Sequence, residues 1–299
     1  MTSISEGART LTAPGAAAEQ VGTGFTFTEG PVWNRQGEYL LFSDMPGDVR
    51  RRYSETGGTE EVMRPSNKGN GMVYDGQGLL LVCEHATSTL VREHPDGTRE
   101  TVASHYRGLE LNSPNDVVTR SDGSIYFSDP AYGRTAAFGV QRDQQLPFQA
   151  VYRVAPNGDL ELAVAEDDFE QPNGLCFSPD ESLLYINDSP RALIRVYDVQ
   201  ANGTLTGGRT FYEGIADDAR PGHPDGMKCD ELGNVWVTAP GGVWVISPQA
   251  QRLAEIPVPE VVGNLAWGGA GWKTLYLPSS TSLYRLATAV ASAPLPYHR

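Results

Sequence analysis

The feature that most constrains this chain is an internal repeat of six similar phrases. Each begins with a carboxylate or carboxamide, continues as a short apolar run, and is followed by a strand-like segment ending in a small or acidic residue. The six anchors are Glu29, Asn70, Asn115, Asn173, Asp225 and Asn264. From each anchor to the end of its companion segment the separation is 14 or 15 residues. So constant a spacing indicates a repeat architecture.

The companion segments are rich in β-branched and aromatic residues and are predicted strands. They span residues 39–44, 79–84, 125–129, 183–188, 234–239 and 274–279. Successive anchors are 41, 45, 58, 52 and 39 residues apart, which is room for about four short strands per unit. Six such units predict an all-β fold, a six-bladed β-propeller.

The predicted propeller occupies residues 19–299 as one domain. Residues 1–18, rich in Ala, Gly, Ser and Thr, are expected to be a flexible N-terminal lead-in. After Asn264 the chain supplies only about three strands, so residues 19–25 are expected to complete the sixth blade and close the ring.

The position of the anchors decides between two uses of the Asn-Gly and Asp-Gly pairs that open several phrases. Such pairs are typical of hairpin turns. In the fourth unit, however, residues 178–182 supply the turn, so Asn173 stands at the entrance of its strand. If the anchored strand is the innermost of each blade, the anchors converge at one mouth of the central channel.

Composition limits the partners and the compartment. A net charge of −14 over 299 residues disfavours nucleic acid. The N-terminus lacks the pattern of a secretory signal, and no apolar stretch is long enough to span a membrane. Three cysteines without Cys-x-x-Cys spacing, Cys83, Cys176 and Cys229, are expected to be reduced core thiols. A cytoplasmic location is predicted, with a periplasmic one left open.

The ring of anchors offers hard oxygen donors. Two carboxylates, Glu29 and Asp225, match the charge of a divalent cation, and the amides add ligands without surplus charge. Ca²⁺ is favoured because donors from different blades suit its loose coordination by about six to eight oxygens. Mg²⁺, Mn²⁺ and Zn²⁺ are the alternatives. Since no nucleophile elbow, His-Glu-x-x-His motif or phosphate-binding loop occurs, the metal is the expected source of chemistry.

Five phrases, in this order and spacing, resemble those of the gluconolactonase and regucalcin (senescence marker protein) family. They are FTEGPVW at 27–33, SPNDVV at 113–118, IYFSDPAYG at 125–133, QPNGL at 171–175 and HPDGM at 223–227. The resemblance runs from about residue 20 to the C-terminus. It implies a six-bladed propeller with a divalent cation, usually calcium, in the channel. Carried over by position, it implies that Glu29, Asn173 and Asp225 ligate the metal, with Asn115 in contact directly or through water.

The resemblance also implies an activity, the hydrolysis of a sugar lactone such as gluconolactone or a related small lactone. In that mechanism the metal polarises the lactone carbonyl and Asp225 is the general base for the attacking water. Whether Asp225 or the metal itself activates the water is left open.

Substrate contacts are expected at the channel mouth. The candidate substrate-binding residues are Asn115, Ser113, His85, Asp129 and Tyr132. For His85 a structural role is the alternative, and for Asp129 the alternative is capping of a strand end. Ser113 departs from the animal family members, which carry an arginine there that contacts the sugar acid. Residues 132–149 form either a specificity loop over the mouth or a disordered insertion.

Two other functions fit the same scaffold. One is an organophosphate triester hydrolase, in which the metal would polarise a phosphoryl oxygen. The other is a non-enzymatic propeller that binds calcium or another protein. Protein binding predicts apolar residues at the mouth, whereas the anchors are polar. The expected partner is therefore a small-molecule lactone, and the chain is a monomer or a dimer.

Overall fold

The computed structural model describes residues 8–298 and shows the predicted all-β six-bladed propeller. Each blade is a four-stranded antiparallel sheet. Blade 1 comprises β2 (Thr28–Asn34), β3 (Tyr39–Asp44), β4 (Val49–Ser54) and β5 (Gly58–Met63). Blade 2 comprises β6 (Gly69–Tyr74), β7 (Leu80–Glu84), β8 (Thr89–Glu93) and β9 (Arg99–Ala103). Blade 3 comprises β12 (Val117–Thr119), β13 (Ile125–Asp129), β14 (Ala150–Val154) and β15 (Leu160–Leu162).

The second half of the ring repeats this arrangement. Blade 4 comprises β16 (Pro172–Phe177), β17 (Leu183–Asp188), β18 (Leu193–Val199) and β19 (Leu205–Glu213). Blade 5 comprises β20 (Met227–Cys229), β21 (Val235–Ala239), β22 (Gly242–Ile246) and β23 (Arg252–Pro257). Blade 6 comprises β24 (Ala266–Gly268), β25 (Thr274–Ser279), β26 (Ser282–Ala287) and β1 (Glu19–Thr23). The predicted companion strands agree with the observed ones to within one residue.

A few short elements lie outside the blades. They are the helix α1 (Ala8–Leu11), the two-residue strands β10 (His105–Tyr106) and β11 (Leu109–Glu110), and 3₁₀ turns at Tyr132–Arg134, Ala270–Trp272 and Pro296–His298. Within residues 8–298 no helix has the length and apolarity needed to cross a membrane.

The N-terminal strand closes the ring, as predicted from the short count of strands after Asn264. β1 pairs antiparallel with β26, and Glu19 lies opposite Arg285. The Arg285 guanidinium donates to Glu19 Oε2 at 2.9 Å and also binds Glu55 of blade 1. Arg285 thereby joins the N-terminal strand to blade 6 and blade 6 to blade 1.

The lead-in differs from its prediction. Residues 1–7 lie outside the described residues, but Ala8–Leu11 forms a helical turn, and Leu11 is buried in the apolar layer between blades 5 and 6. Ala13 N donates to Ala287 O at 3.0 Å, which continues the attachment beyond the helix. The Ala-rich composition of this segment gave no indication that Leu11 attaches it to the core.

The hydrophobic core lies between the blades. In β13, Ile125 and Phe127 pack toward blade 2, while Tyr126 between them packs toward blade 4. Because each sheet is covered on both faces, its strands read as continuous apolar runs instead of alternating apolar and polar residues. The three cysteines are free and buried in these layers, as predicted.

Candidate metal and substrate site at the channel mouth

Glycines next to the anchors bring the inner strands together around the channel. Gly71 N donates to Asn115 O at 2.8 Å, and Gly174 N donates to Asp225 O at 3.0 Å, each across a blade boundary. A Cβ at Gly174 would lie 2.2 Å from Asp225 O, so no side chain fits there. The anchor-glycine pairs are therefore used for close backbone approach at the ring, and not for hairpin turns.

Aspartates at the ends of three companion strands hold the loops that lead to the anchors. Asp129 accepts hydrogen bonds from Asn112 N at 2.8 Å and from Ser113 N at 2.7 Å, the residues three and two positions before anchor Asn115. Asp44 does the same before Glu29, and Asp188 before Asn173.

Asp129 is fully buried, and burial raises its pKa to about 7 although the two backbone N–H groups oppose that shift. Both of its oxygens are engaged by the backbone. These contacts are those of the strand-end alternative, and the substrate contact stays a prediction that they do not support.

The carboxylates of Glu29 and Asp225 are both present in the ring. Glu29 is 3% exposed, and its Oε2 accepts hydrogen bonds from Gly30 N at 2.7 Å and from Asn264 Nδ2 at 3.0 Å. The Asp225 side chain is 13% exposed, and its backbone N donates to Thr238 Oγ1 at 2.8 Å. Glu29 is thus held at depth by two donors, whereas Asp225 is the carboxylate nearer the opening.

The charge of Asp225 disfavours ionisation of Glu29, whereas a hydrogen bond with Glu29 lowers the pKa of Asp225. Burial, and then the charge of Asp225, raises the pKa of Glu29 well above its ordinary value. Burial also raises the pKa of Asp225 to about 7, with Asn173 opposing the shift and Asp116 adding to it. Lys228 Nζ lies 3.5 Å from Asp116 Oδ2 and offsets that third charge. The ring therefore carries an excess of negative potential that a cation would relieve.

The amides complete the donor set. Asn173 is 3% exposed, and its Nδ2 donates to Ser189 Oγ at 3.1 Å, which turns the amide nitrogen toward that hydroxyl. Ser189 in turn donates to Pro224 O at 2.6 Å, next to Asp225. Asn115 is 6% exposed and is held through its backbone N, which donates to Ser128 O at 2.8 Å.

This donor set fits a hard divalent cation. Within residues 8–298 no three His, Cys, Asp or Glu side chains form a metal-ligating group. Two carboxylates with raised pKa values beside neutral amides are the ligand chemistry of Ca²⁺ or Mg²⁺. The ligand assignment of Glu29, Asn115, Asn173 and Asp225 stays a prediction.

Residues 132–149 form a packed loop beside the mouth and not a disordered insertion. The buried Arg134 donates from Nε to Asn112 O at 2.6 Å and from a terminal nitrogen to Asp143 O at 2.9 Å. Ser113 Oγ accepts from Gly133 N at 2.9 Å and donates to Pro130 O at 2.5 Å. Ser113 is fully buried and anchors the loop through these contacts, and the substrate contact predicted for it stays a prediction.

Tyr132 opens this loop and reaches the ring. Burial raises the pKa of Tyr132 to about 12, hydrogen bonds to Ser189 and Asn173 oppose the shift, and the Asp225 charge adds to it. Its phenol is therefore a neutral donor beside the carboxylates, consistent with the substrate contact predicted for it. His223 lies at the rim with Nε2 3.7 Å from Asp225 Oδ2, and its side chain is 55% exposed.

His85 lies beneath the loop and is fully buried. Its Nδ1 is 2.9 Å from Phe138 O, and its Nε2 is 3.2 Å from Asn70 Nδ2. Both ring nitrogens are engaged by the protein, as the structural alternative expects, and the direct substrate contact stays a prediction.

Sequence reasoning missed Asp116 and Lys228. The position after the anchor is glycine in four of the six units and leucine in the last, so Asp116 is the charged exception. Its charge acts on both Glu29 and Asp225. That irregularity in the repeat was the available signal for a charge inside the channel.

The fold and the ring define a class of protein, a six-bladed propeller with a carboxylate and amide site at one mouth of its channel. The chain belongs to the SMP-30/Gluconolactonase/LRE-like family, whose model matches residues 27–281, and the resemblance drawn from the sequence is confirmed. It is 32% identical over 291 residues to a gluconolactonase from Zymomonas mobilis, covering 90% of this chain and 81% of that protein. It is 29% identical over 262 residues to regucalcin from Danio rerio, covering 84% and 82%. A solved gluconolactonase structure from Xanthomonas campestris superposes with a TM-score of 0.84 at 30% identity, covering 93% and 91%.

Proposed function

We propose that this protein hydrolyses a sugar lactone, with gluconolactone or a related small lactone as substrate and a divalent cation, Ca²⁺, at the channel mouth. The observation that carries the proposal is the pairing of Glu29 and Asp225 with amides in one ring, in a chain 32% identical to a gluconolactonase. A ring with two facing carboxylates is suited to a cation and to an uncharged, hydroxyl-rich substrate.

The cation, when bound, supplies Lewis-acid stabilisation of the negative charge that develops on the lactone carbonyl oxygen. Glu29, Asn173 and Asp225 would hold it, with Asn115 beside them. The backbone of Asp225 accepts a hydrogen bond from Gly174 N and donates one to Thr238 Oγ1. These bonds hold Asp225 in place before substrate arrives, which is the preorganisation that electrostatic catalysis requires.

Asp225 is the better placed of the two acids to act as general base. Glu29 already accepts two hydrogen bonds and is nearly inaccessible, whereas Asp225 is more exposed at the opening. A water beside Asp225 attacks the carbonyl carbon and transfers a proton to the carboxylate. The ring C–O bond then breaks, and the same proton returns to the departing ring oxygen, giving the open hydroxy acid.

Tyr132 contributes a neutral hydrogen-bond donor at the wall of the site. Because its pKa is raised to about 12, the phenol keeps its proton at neutral pH. It lies beside Asn173 and Ser189 and so helps to orient both the amide and a bound lactone. We expect its contribution to be smaller than that of Asp225.

A pH-indicator assay on chelated enzyme with Ca²⁺ restored tests the proposal. The substrates are gluconolactone, other aldonolactones, dihydrocoumarin and acyl-homoserine lactones, each corrected for spontaneous hydrolysis. Turnover restored by Ca²⁺ and greatest on aldonolactones supports the proposal. Phosphotriester turnover above that of every lactone would favour the organophosphate alternative, and tight Ca²⁺ binding without any turnover would favour a binding protein.

A further inference from the structure

Asn70 is one of two ring anchors, with Asn264, to which the family resemblance assigns no role. Its backbone oxygen accepts a hydrogen bond from Ser43 Oγ at 2.9 Å, and a Cβ at Gly30 would lie 1.7 Å from that oxygen. Asn70 therefore sits in the ring beside Glu29, and it is only 2% exposed.

His85 determines which way the Asn70 amide faces. Phe138 O can only accept a hydrogen bond, so His85 Nδ1 at 2.9 Å must carry the proton and donate it. His85 Nε2 is then an acceptor and receives the hydrogen bond of Asn70 Nδ2 at 3.2 Å. Burial lowers the pKa of His85 to about 4, which keeps the ring neutral and this tautomer in place.

This arrangement leaves the other half of the Asn70 amide without a protein partner. Asn70 Oδ1 is buried and has no hydrogen-bond partner among the described residues. An unsatisfied buried acceptor is unfavourable, and native structures retain few of them. Since Nδ2 is held by His85, Oδ1 is the atom of this anchor amide that remains available to a ligand.

The His85 ring is in turn held by the mouth loop. A Cβ at Gly133 would lie 2.6 Å from His85 Cγ, so the loop backbone packs directly on the imidazole. Arg142 donates to His85 O at 3.1 Å from the same loop. The orientation of the Asn70 amide thus depends on the packed position of residues 132–149.

We propose that Asn70 Oδ1 accepts a hydrogen bond from a hydroxyl group of the bound lactone, and that His85 is the positioning residue that presents this oxygen. The inference rests on the proposed function and deepens it. This hydrogen bond makes the site specific for hydroxylated lactones, because an unsubstituted lactone has no donor for Asn70 Oδ1. A buried acceptor that stays unpaired with the wrong substrate is an effective basis for discrimination.

The test compares two lactones of the same ring size, glucono-δ-lactone with hydroxyls and δ-valerolactone without them. The variants are Asn70→Leu, His85→Phe and His85→Gln, with His94→Phe as the matched control at a half-buried histidine of blade 2, outside the ring. We expect kcat/KM for gluconolactone to fall about 10- to 100-fold in Asn70→Leu and His85→Phe. The fall for δ-valerolactone should be several-fold smaller. His85→Gln, which can both donate to Phe138 O and accept from Asn70, should recover most of the loss.

Two further measurements distinguish substrate binding by Asn70 from cation binding and from a structural role. They are the Ca²⁺ affinity, by titration calorimetry, and the melting temperature. The inference requires Ca²⁺ affinity to stay within about 3-fold of the wild type. Equal losses on both lactones with weaker Ca²⁺ binding would make Asn70 a cation ligand and overturn it. Equal losses with a lowered melting temperature would make the pair merely structural and overturn it too. A wild-type enzyme inactive on both lactones would instead remove the proposed function, and the inference with it.

Discussion

The two ends of the central channel are built from the same inner strands and have opposite chemistry. At the mouth, the anchors present carboxylates and amides. Only two to four residues farther along each strand, apolar side chains line a cavity that the C-terminal residues 292–297 cover. The side chains from the strands include Val32, Met72, Val118, Phe177 and Trp267. One short strand per blade thus supplies a polar residue for chemistry and apolar residues for packing. Changes at the two ends should therefore have separable effects on activity and on stability.

The far end is held by aromatic contacts and not by charge. Tyr297 OH donates to Trp33 O at 2.6 Å, and its ring lies 5.4 Å from that of Tyr74 and 5.8 Å from that of Trp272. These contacts join the C-terminus to blades 1, 2 and 6. They bury apolar area, the contribution that dominates folding stability.

The largest expected effect follows from removing the base at the mouth. Asp225→Asn should lower kcat by about 10²- to 10⁴-fold, because the amide cannot accept the proton of the attacking water. Its melting temperature without metal should be equal to or above that of the wild type, since one of two facing carboxylates is gone. Cys229→Ala, four residues along the same segment and at the far end, is the control. It should keep kcat within about 2-fold and lose stability.

Kinetics of both purified variants at saturating Ca²⁺, with thermal melts in chelator, check this separation. Near-normal turnover by Asp225→Asn would remove its role as base. A large loss of kcat in Cys229→Ala would show that the two ends are not independent.

The second prediction concerns pH and the metal-free mouth. The pKa of Asp225 is raised on folding from 3.8 to about 7. Between these values Asp225 binds more protons in the folded than in the unfolded state, so its contribution to the free energy of unfolding falls as pH rises from about 4 to 7. At 1.36 kcal/mol per pKa unit the fall is at most about 4 kcal/mol for this group, and Glu29 acts in the same direction.

Urea unfolding in chelator across pH 4 to 8 measures that slope. Asp225→Asn should flatten it, and saturating Ca²⁺ should stabilise the protein most at the high-pH end, where both carboxylates are ionised. Equal slopes in the wild type and in Asp225→Asn would contradict the raised pKa of Asp225. Far-end variants should keep the wild-type slope, because no carboxylate is changed.

A smaller effect is expected from breaking the far end itself. Tyr297→Ala removes the aromatic contacts with Tyr74 and Trp272 and should cost about 2 to 3 kcal/mol of stability. Its kcat and Ca²⁺ affinity should match the wild type, since the mouth is untouched. Denaturant unfolding and lactone kinetics on the same preparation measure both quantities. A loss of activity at a temperature where the variant stays folded would show coupling along the channel.

The same contrast explains what the sequence could and could not predict. Strand positions were predicted well, because the repeat and its turns fix the distance from each anchor to its companion strand. The ring anchors were predicted for the same reason. The hydrogen-bond partners of Asp129, Ser113 and His85 could not be predicted, because these partners are distant in sequence. A residue type shows what a side chain can donate or accept, whereas only the fold shows what remains available to a ligand.

The finest comparison removes the same atom at each end. Tyr132→Phe removes the hydroxyl that lies beside Asn173 and Ser189 at the mouth. Tyr297→Phe removes the hydroxyl that donates to Trp33 O. A neutral hydrogen bond contributes about 0.5 to 1.5 kcal/mol, so each loss is small. At the mouth it should appear as a decrease in kcat/KM of about 3- to 10-fold with little change in stability. At the far end, losing the hydrogen bond should lower the free energy of unfolding by about 1 kcal/mol and leave kcat/KM unchanged. If both variants lost stability alone, Tyr132 would be a loop anchor like Ser113, and the substrate wall would have to be sought among other residues of the rim, beginning with His223.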